Sequence, residues 1–243
     1  MYRIKPAVKE IYHIYNRGVE ERNIFLDDED RLRFIHDLFE FNDENPTINL
    51  AYYFSKKQSK EVGLPNIERE PRKLIIDLLA FCLMPNHFHL MISQKKEGGI
   101  TEFMRKLGTG YTNYFNKKYN RAGPLLQGKY KITHINQESH FIHLPYYIHL
   151  NPLDADFSGW RERKIKNYNK AIKFLENYKW SSFQDYIGIK NFPSVTQREF
   201  LLKFFDGSIQ YKKDIVNWLK NIDLEEIEFF APKRKKGHLK KNI

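Results

Sequence analysis

Residues 74–93 read LIIDLLAFCLMPNHFHLMIS, and this stretch decides the fold class. Residues 74–84 form a nearly continuous apolar run, which is typical of a central strand covered on both faces. Pro85 and Asn86 predict a turn, and residues 87–93 have the pattern of the next strand. The segment therefore predicts two neighbouring strands inside a sheet.

The segments before and after this stretch alternate between strand and helix patterns through about residue 155. The predicted elements are strands at 11–16, 48–54 and 129–135, and helices at 101–119 and 137–150. Asp27, Asp28 and Asp30 open a further helix. Its apolar positions are Leu32, Phe34, Ile35, Leu38, Phe39 and Phe41. The predicted fold class is α+β, a small and largely antiparallel sheet with packed helices.

The pattern after residue 155 is helical. Helices are predicted at 169–178, 180–186, 196–205 and 209–220. Residues 156–232 are interpreted as a helical C-terminal extension. Residues 233–243 are interpreted as a disordered basic tail, because 233–241 contain six basic residues in nine. Residues 56–73, which are polar and carry six basic residues, predict an exposed loop.

The charge balance favours a nucleic-acid partner. The 41 Lys and Arg outnumber the 30 Asp and Glu, for a formal net charge of +11, and such a surplus attracts polyanions. A soluble protein that is merely basic is the alternative. No window approaches the roughly 20 apolar residues of a membrane span, and no secretory signal is recognisable, so we expect a cytoplasmic protein. Cys82 is the single cysteine, which excludes an internal disulfide and predicts a small core residue.

His87 and His89 are the candidate metal ligands. Side chains alternate along a strand, so both imidazoles point to one face while Phe88 points into the core. Two imidazoles roughly 7 Å apart along a strand can converge on one divalent ion. Two unrelated histidines on a half-exposed strand are the alternative, because the spacing alone does not require a metal.

Tyr147 and Asn151 are the second candidate pair. Positions four apart share a face of a helix, so the two side chains stack. A phenol over a metal-bound phosphate is a competent nucleophile, and an amide oxygen can complete the shell of the ion. The alternative is a core tyrosine followed by a helix cap. Tyr111, Tyr114 and Tyr146 compete for the role, but Tyr147 has both the asparagine at i+4 and a proline after it.

These motifs together resemble the single-tyrosine HUH transposases of small insertion sequences, and within them the REP-associated tyrosine transposases. The resemblance covers about residues 10–190. Its motifs are, in order, YHIYNRG at 12–18, Ile24-Phe25 with Asp30 and Phe34, MPNHFH at 84–89, YTNYFN at 111–116, Gly123, QGKY at 127–130, Tyr147-Ile148 with Asn151-Pro152, and WSSF at 180–183 with Tyr186. The loop at 56–73 looks longer than is usual in the family.

The resemblance implies a ferredoxin-like catalytic domain in residues 1–155. It implies Mg²⁺ or Mn²⁺ between His87, His89 and Asn151, and Tyr147 as the catalytic nucleophile. The tyrosine would attack a phosphate of single-stranded DNA beside a hairpin, leaving a 5′-phosphotyrosine and a free 3′-OH. Strand transfer reverses that attack, so ATP is not needed.

Candidate DNA-binding residues are Asn16, Arg17, Lys129 and Lys131, since cationic side chains can follow phosphates while aromatic rings stack on bases. His143, at i−4 from Tyr147, is a candidate supporting group or base, with a surface histidine as the alternative. Relatives occur as homodimers and as monomers, and the sequence leaves this open.

Two other functions are compatible with the same residues. One is a domesticated, non-catalytic binder of structured DNA or RNA. The other is a metal-dependent phosphodiesterase that uses water in place of the tyrosine.

Overall fold

The computed structural model describes residues 5–45, 71–222 and 224–231. The predicted strand at 48–54, most of the predicted loop at 56–73 and the predicted tail at 233–243 lie outside the described residues. Within them, the structure has no helix with the length and apolar character that a membrane span requires.

The described residues form a four-stranded antiparallel sheet with the order β2-β3-β1-β4. The strands are β1 Ile11–Arg17, β2 Ile76–Met84, β3 His87–Gln94 and β4 Lys131–Ile135. Helix α1, Asp28–Glu40, follows β1, and helix α2, Gly99–Lys118, follows β3. This βαββαβ succession with β3 and β1 at the centre is the ferredoxin-like arrangement, and it confirms the predicted fold class.

Alternation along β3 divides the molecule into two cores. Phe88, Leu90 and Ile92 are fully buried against α1 and α2 on one face of the sheet. His87 and His89 point to the other face. A shift of one residue in register would exchange the two sets, so burial of the apolar set determines where the histidines point.

Helix α1 begins where a capping aspartate predicts it. The side chain of Asp27 accepts a hydrogen bond from the backbone N–H of Asp30, which satisfies one of the free donors of the first turn. Gly110 of α2 lets the end of α1 approach closely, since a Cβ there would lie 2.5 Å from the ring of Phe41. Leu32, one of the apolar positions of the predicted helix, is half exposed, because it lies on the solvent side of α1.

Helix α3, Glu138–Leu150, packs on the other face of the sheet, and a group of C-terminal helices covers it. These are α4 Tyr168–Asn177, α5 Phe183–Tyr186, α6 Glu199–Phe204, α7 Ser208–Lys220 and α8 Leu224–Phe230. Cys82 is fully buried in this core, as predicted. The core contains residues from both sides of position 155, where the domain boundary was predicted, and that boundary stays a prediction. Helix α8 was not predicted.

His149 joins α3 to the C-terminal helices. Its Nδ1 lies 2.6 Å from the Tyr211 hydroxyl on α7, and its Nε2 lies 2.8 Å from the Ser182 hydroxyl. Burial lowers the pKa of His149 to about 3. The imidazole is therefore neutral in the folded protein at neutral pH, and both ring nitrogens are satisfied.

This buried imidazole predicts a loss of stability in mild acid. In the unfolded chain His149 becomes protonated near its ordinary pKa of 6.5. The contribution of the neutral His149 to the free energy of unfolding is therefore complete above that pH. It declines as the pH falls from 6.5 towards 3, by up to about 1.4 kcal/mol per pH unit for this group. Between pH 7 and 5, the free energy of unfolding measured with urea should therefore depend less steeply on pH for His149→Gln than for the wild-type chain. Equal slopes would contradict the prediction.

Candidate active site

His87 and His89 extend from the first residues of β3, directly after the turn. Their ring centroids are 5.0 Å apart. His87 Nδ1 lies 2.6 Å from the amide oxygen of Asn86, which fixes the orientation of that ring. The Nε2 atom of His89 is buried and has no hydrogen-bond partner among the described residues. The two predicted metal ligands therefore lie side by side on one face of the sheet.

His13 of β1 contacts His89 through a ring nitrogen and by stacking. His13 Nε2 and His89 Nδ1 are 2.9 Å apart, and the two rings stack with centroids 5.1 Å apart. Partners of this kind set the orientation of a metal-binding imidazole. His13 was not predicted to be part of the site. The signal was present in the alternation of β1, since Tyr15 pairs with His89 and His13 is two residues before it, on the same face.

Burial keeps these imidazoles neutral. It lowers the pKa of His87 to about 4 and that of His13 to about 3, and it lowers the pKa of His89 well below its ordinary value. The carboxylate of Asp154 partly opposes the shift at His87. A metal ion needs an unprotonated ring nitrogen, so burial prepares the pair for a cation at neutral pH.

Tyr147 of α3 faces the histidines. Its ring is fully buried, with its centroid 5.6 Å from that of His89 and 6.0 Å from that of His13, edge to face in both cases. Phe230 of α8 covers it with a ring 5.3 Å away. The hydroxyl oxygen is buried without a hydrogen-bond partner in the described part of the chain. Burial raises the pKa of Tyr147, and the positive charge of Arg161 and an interaction between the two side chains oppose that rise.

Asn151 is tied both to the tyrosine and to an arginine. Its Nδ2 donates to the carbonyl oxygen of Tyr147 at 2.7 Å, and its Oδ1 accepts from Arg161 Nη2 at 2.9 Å. The helix ends here because Pro152 opens a 3₁₀ turn at Asn151–Asp154. A carbonyl oxygen has two lone pairs, so the Asn151 amide oxygen keeps one acceptor position.

A cleft of about 950 Å³ opens beside these side chains. His87 and Asn151 line it, together with Asp154 and Arg161 from the segment after α3. The remaining lining residues are Tyr15, Arg17, Glu21, Asn86, Glu228 and Ala231. The cleft gives a ligand access to His87, whereas the Tyr147 hydroxyl lies behind its wall.

The predicted DNA-binding residues differ in exposure. Lys129 and Lys131 are exposed, and Lys131 pairs with Tyr15, which puts it on the sheet face of His89. Arg17 lines the cleft and donates to Glu21 and Gln127.

Asn16, in contrast, is buried. Its amide donates to the Gly128 carbonyl and accepts from the Arg17 backbone N–H. It therefore ties the end of β1 to the loop before β4, and its DNA contact stays a prediction.

The structure does not bring His143 to the histidine pair. Its Nδ1 lies 2.5 Å from Glu226 of α8, its ring stacks on Trp218, and it lines a separate groove. Among the competing tyrosines, Tyr111 and Tyr114 donate hydrogen bonds to α1 and the residues before it, on the opposite face of the sheet.

Tyr146 packs against Phe205, Tyr211 and Trp218 in the C-terminal core. Of the tyrosines considered from the sequence, Tyr147 is the one beside the histidines.

The model of the family described as "Transposase IS200 like" matches residues 54–151. A search of curated proteins finds no match. Among solved structures, the one described as "Structure of the REP associates tyrosine transposase bound to a REP hairpin" is similar at 13% sequence identity and a TM-score of 0.49, covering 79% of this chain and 88% of that chain.

The fold and the site together define a class. A ferredoxin-like sheet with two histidines on a central strand, facing a tyrosine on a packed helix, is the arrangement that the resemblance to HUH transposases implies. Residues 54–151 of this chain match the model of the IS200-like transposase family. Over these residues the chain is therefore similar to a class of transposases.

Proposed function

We propose that this protein cleaves and rejoins single-stranded DNA at sites flanked by a hairpin, with Tyr147 as the nucleophile. One observation carries the proposal. The Tyr147 hydroxyl and His89 Nε2 are both buried without a partner among the described residues, on rings only 5.6 Å apart. Buried polar atoms are almost always satisfied. Two such atoms together indicate a ligand that supplies the missing interactions.

The donor set fits a divalent cation. His87 and His89 are each held through Nδ1, which leaves Nε2 for a metal, and Asn151 offers an amide oxygen. In the described residues no group of three or more His, Cys, Asp or Glu could hold a metal ion, so the amide is the natural third ligand. Carbonyl oxygens suit Mg²⁺ and Mn²⁺, and added nitrogen ligands favour Mn²⁺. Such an ion polarises a phosphoryl oxygen and stabilises the charge that develops during phosphoryl transfer.

The reaction that we propose conserves phosphodiester bonds. The Tyr147 oxygen forms a bond to phosphorus while the bond from phosphorus to the 3′ oxygen breaks. The phenol loses its proton to solvent, and the departing 3′ oxygen takes one up. The products are a 5′-phosphotyrosine and a free 3′-OH, and attack by a 3′-OH on the phosphotyrosine reverses the step without ATP.

Covalent capture tests the proposal. Labelled hairpin oligonucleotides with randomised single-stranded flanks are incubated with the protein and Mn²⁺, then separated on a denaturing gel. A labelled band at the size of protein plus DNA is the expected result. Cleavage without that band would support the phosphodiesterase that uses water.

A non-catalytic binder is the second candidate, and the burial of Tyr147 favours it. Phe230 of α8 covers the buried tyrosine, as it would in a protein that had lost its chemistry. Binding of the hairpins without any cleavage would support this candidate and exclude the transposase reaction.

If the protein is an enzyme, α8 must move before DNA reaches Tyr147. The helix also carries Glu228 into the cleft, where its charge repels a phosphate. Phe230→Ala weakens the packing of α8, so we expect the initial rate of adduct formation to rise by up to about 10-fold. Ile209→Ala, which changes an exposed side chain on α7, is the control. A folded Phe230→Ala variant with an unchanged rate would show that α8 does not limit access.

A further inference from the structure

Arg161 has an unusual set of contacts at the edge of the cleft. It lies in the short 3₁₀ helix Ser158–Glu162. Its Nε and Nη2 donate to the two carboxylate oxygens of Asp154 at 3.1 and 2.7 Å, and Nη2 also donates to the Asn151 amide oxygen. This two-pronged pairing with a carboxylate fixes the plane and direction of the guanidinium group.

The guanidinium group also lies over the ring of Tyr147. The central carbon of the group lies 5.1 Å from the centroid of the Tyr147 ring and 4.3 Å from that of Trp160. Nη1 is buried and makes no well-aligned hydrogen bond within residues 5–45, 71–222 and 224–231, and the Arg161 side chain also interacts with that of Tyr147. A buried donor without a partner is costly, and here it is a charged group in the wall of a cleft next to two other unsatisfied atoms.

We propose that Arg161 binds a non-bridging oxygen of the scissile phosphate through Nη1. Asp154 and Asn151 act as positioning residues that hold the guanidinium for this contact. The inference rests on the proposed function, because it assigns the phosphate of that reaction to a particular side chain. An arginine suits the role, since its planar fork can bind a carboxylate along one edge and a phosphate along another.

The pairing with Asp154 also explains why the arginine stays in place before DNA arrives. A free guanidinium in this cleft would turn towards solvent, and each binding event would have to order it again. A donor already fixed where charge develops stabilises the transition state without that reorganisation. Removing one such donor lowers turnover by about 100-fold or more.

The test compares two oligonucleotides that differ at one linkage. Wild-type adducts from the randomised hairpin pool are sequenced to locate the scissile phosphate. Hairpins with either a phosphate or an uncharged methylphosphonate at that linkage are then bound to the Tyr147→Phe variant, which cannot cleave. With Arg161 present, we expect the phosphate hairpin to bind about 10-fold more tightly than the methylphosphonate hairpin. With Arg161→Met added, the ratio of the two affinities should fall close to one, and Asp154→Asn should lower it in the same direction.

Two controls separate this contact from a structural role. Lys164→Ala removes one positive charge from the same segment at an exposed side chain that pairs with Glu162, and it should leave the ratio unchanged. In the active chain, Arg161→Met should lower the rate of adduct formation by about 100-fold, and Arg161→Lys should restore part of it. A general loss of folding would weaken the binding of both hairpins equally.

The outcomes distinguish a failure of the Arg161 assignment from a failure of the proposed function. A normal adduct from the wild-type chain with an affinity ratio that Arg161→Met leaves unchanged overturns the assignment of Arg161 alone. A wild-type chain that forms no adduct with any member of the pool overturns the proposed function and this inference together.

Discussion

Replacing Tyr147 by phenylalanine is expected to abolish the covalent protein–DNA species while hairpin binding persists. The substitution removes one oxygen atom from a ring whose packing against His89, His13 and Phe230 is otherwise kept. Without the nucleophile the rate of adduct formation should fall by about 1000-fold or more. Denaturing gels measure the adduct, and a filter or anisotropy assay measures binding.

The same variant should be more stable than the wild-type chain. The Tyr147 hydroxyl is buried without a partner among the described residues, and an unsatisfied buried hydroxyl costs about 1–3 kcal/mol. Urea unfolding of Tyr147→Phe should therefore show a gain of about 1 kcal/mol. A residue retained at a cost to stability is typical of a functional site.

Two other tyrosine variants control the assignment. Tyr146→Phe changes the neighbouring residue of the same helix, which packs away from the cleft against Phe205 and Trp218, and it should leave adduct formation unchanged. Tyr15→Phe tests the tyrosine that lines the cleft next to His87. If Tyr147→Phe still forms the adduct and Tyr15→Phe does not, the nucleophile is Tyr15.

The second large effect is expected from His87→Ala. Loss of one imidazole leaves His89 and Asn151 as the remaining proposed ligands, so the affinity for Mn²⁺ should fall by at least about 10-fold. Cleavage at limiting Mn²⁺ should fall by about 100-fold or more, because metal stabilisation of phosphoryl transfer is worth several kcal/mol. Calorimetric titration of the DNA-free protein with Mn²⁺ measures the binding step independently of activity.

His134→Ala is the matched control for this experiment. His134 is also in the sheet, but its ring stacks on Tyr12 and pairs with Glu10, towards the face away from the histidine pair. The variant should bind Mn²⁺ as the wild-type chain does. Equal Mn²⁺ affinity of His87→Ala and the wild-type chain would remove His87 from the proposed metal site.

Local sequence was sufficient to predict which side chains share a face wherever a periodic pattern determines the geometry. Alternation in β3 puts His87 and His89 on one face whatever the rest of the chain does, because the strand period is two. Helical spacing stacks Tyr147 and Asn151 in the same way. The α+β class also followed from the succession of strand and helix patterns, whereas the ferredoxin-like order was implied by the family resemblance. The burial of Phe88 and Leu90 required the histidines to point to the other face.

Tertiary structure decided the contacts between distant segments. His13 contacts His89 although the two residues are 76 positions apart in the sequence. The register between two strands cannot be predicted from either strand alone. Arg161 reaches Tyr147 because Asp154 and Asn151 hold it there, and Phe230 covers the site because α8 returns to α3. His143 shows the converse, since helical spacing made it a candidate for the site and packing places it against Glu226 instead. Periodicity determines which side chains share a face, whereas only the packing of whole elements determines what that face meets.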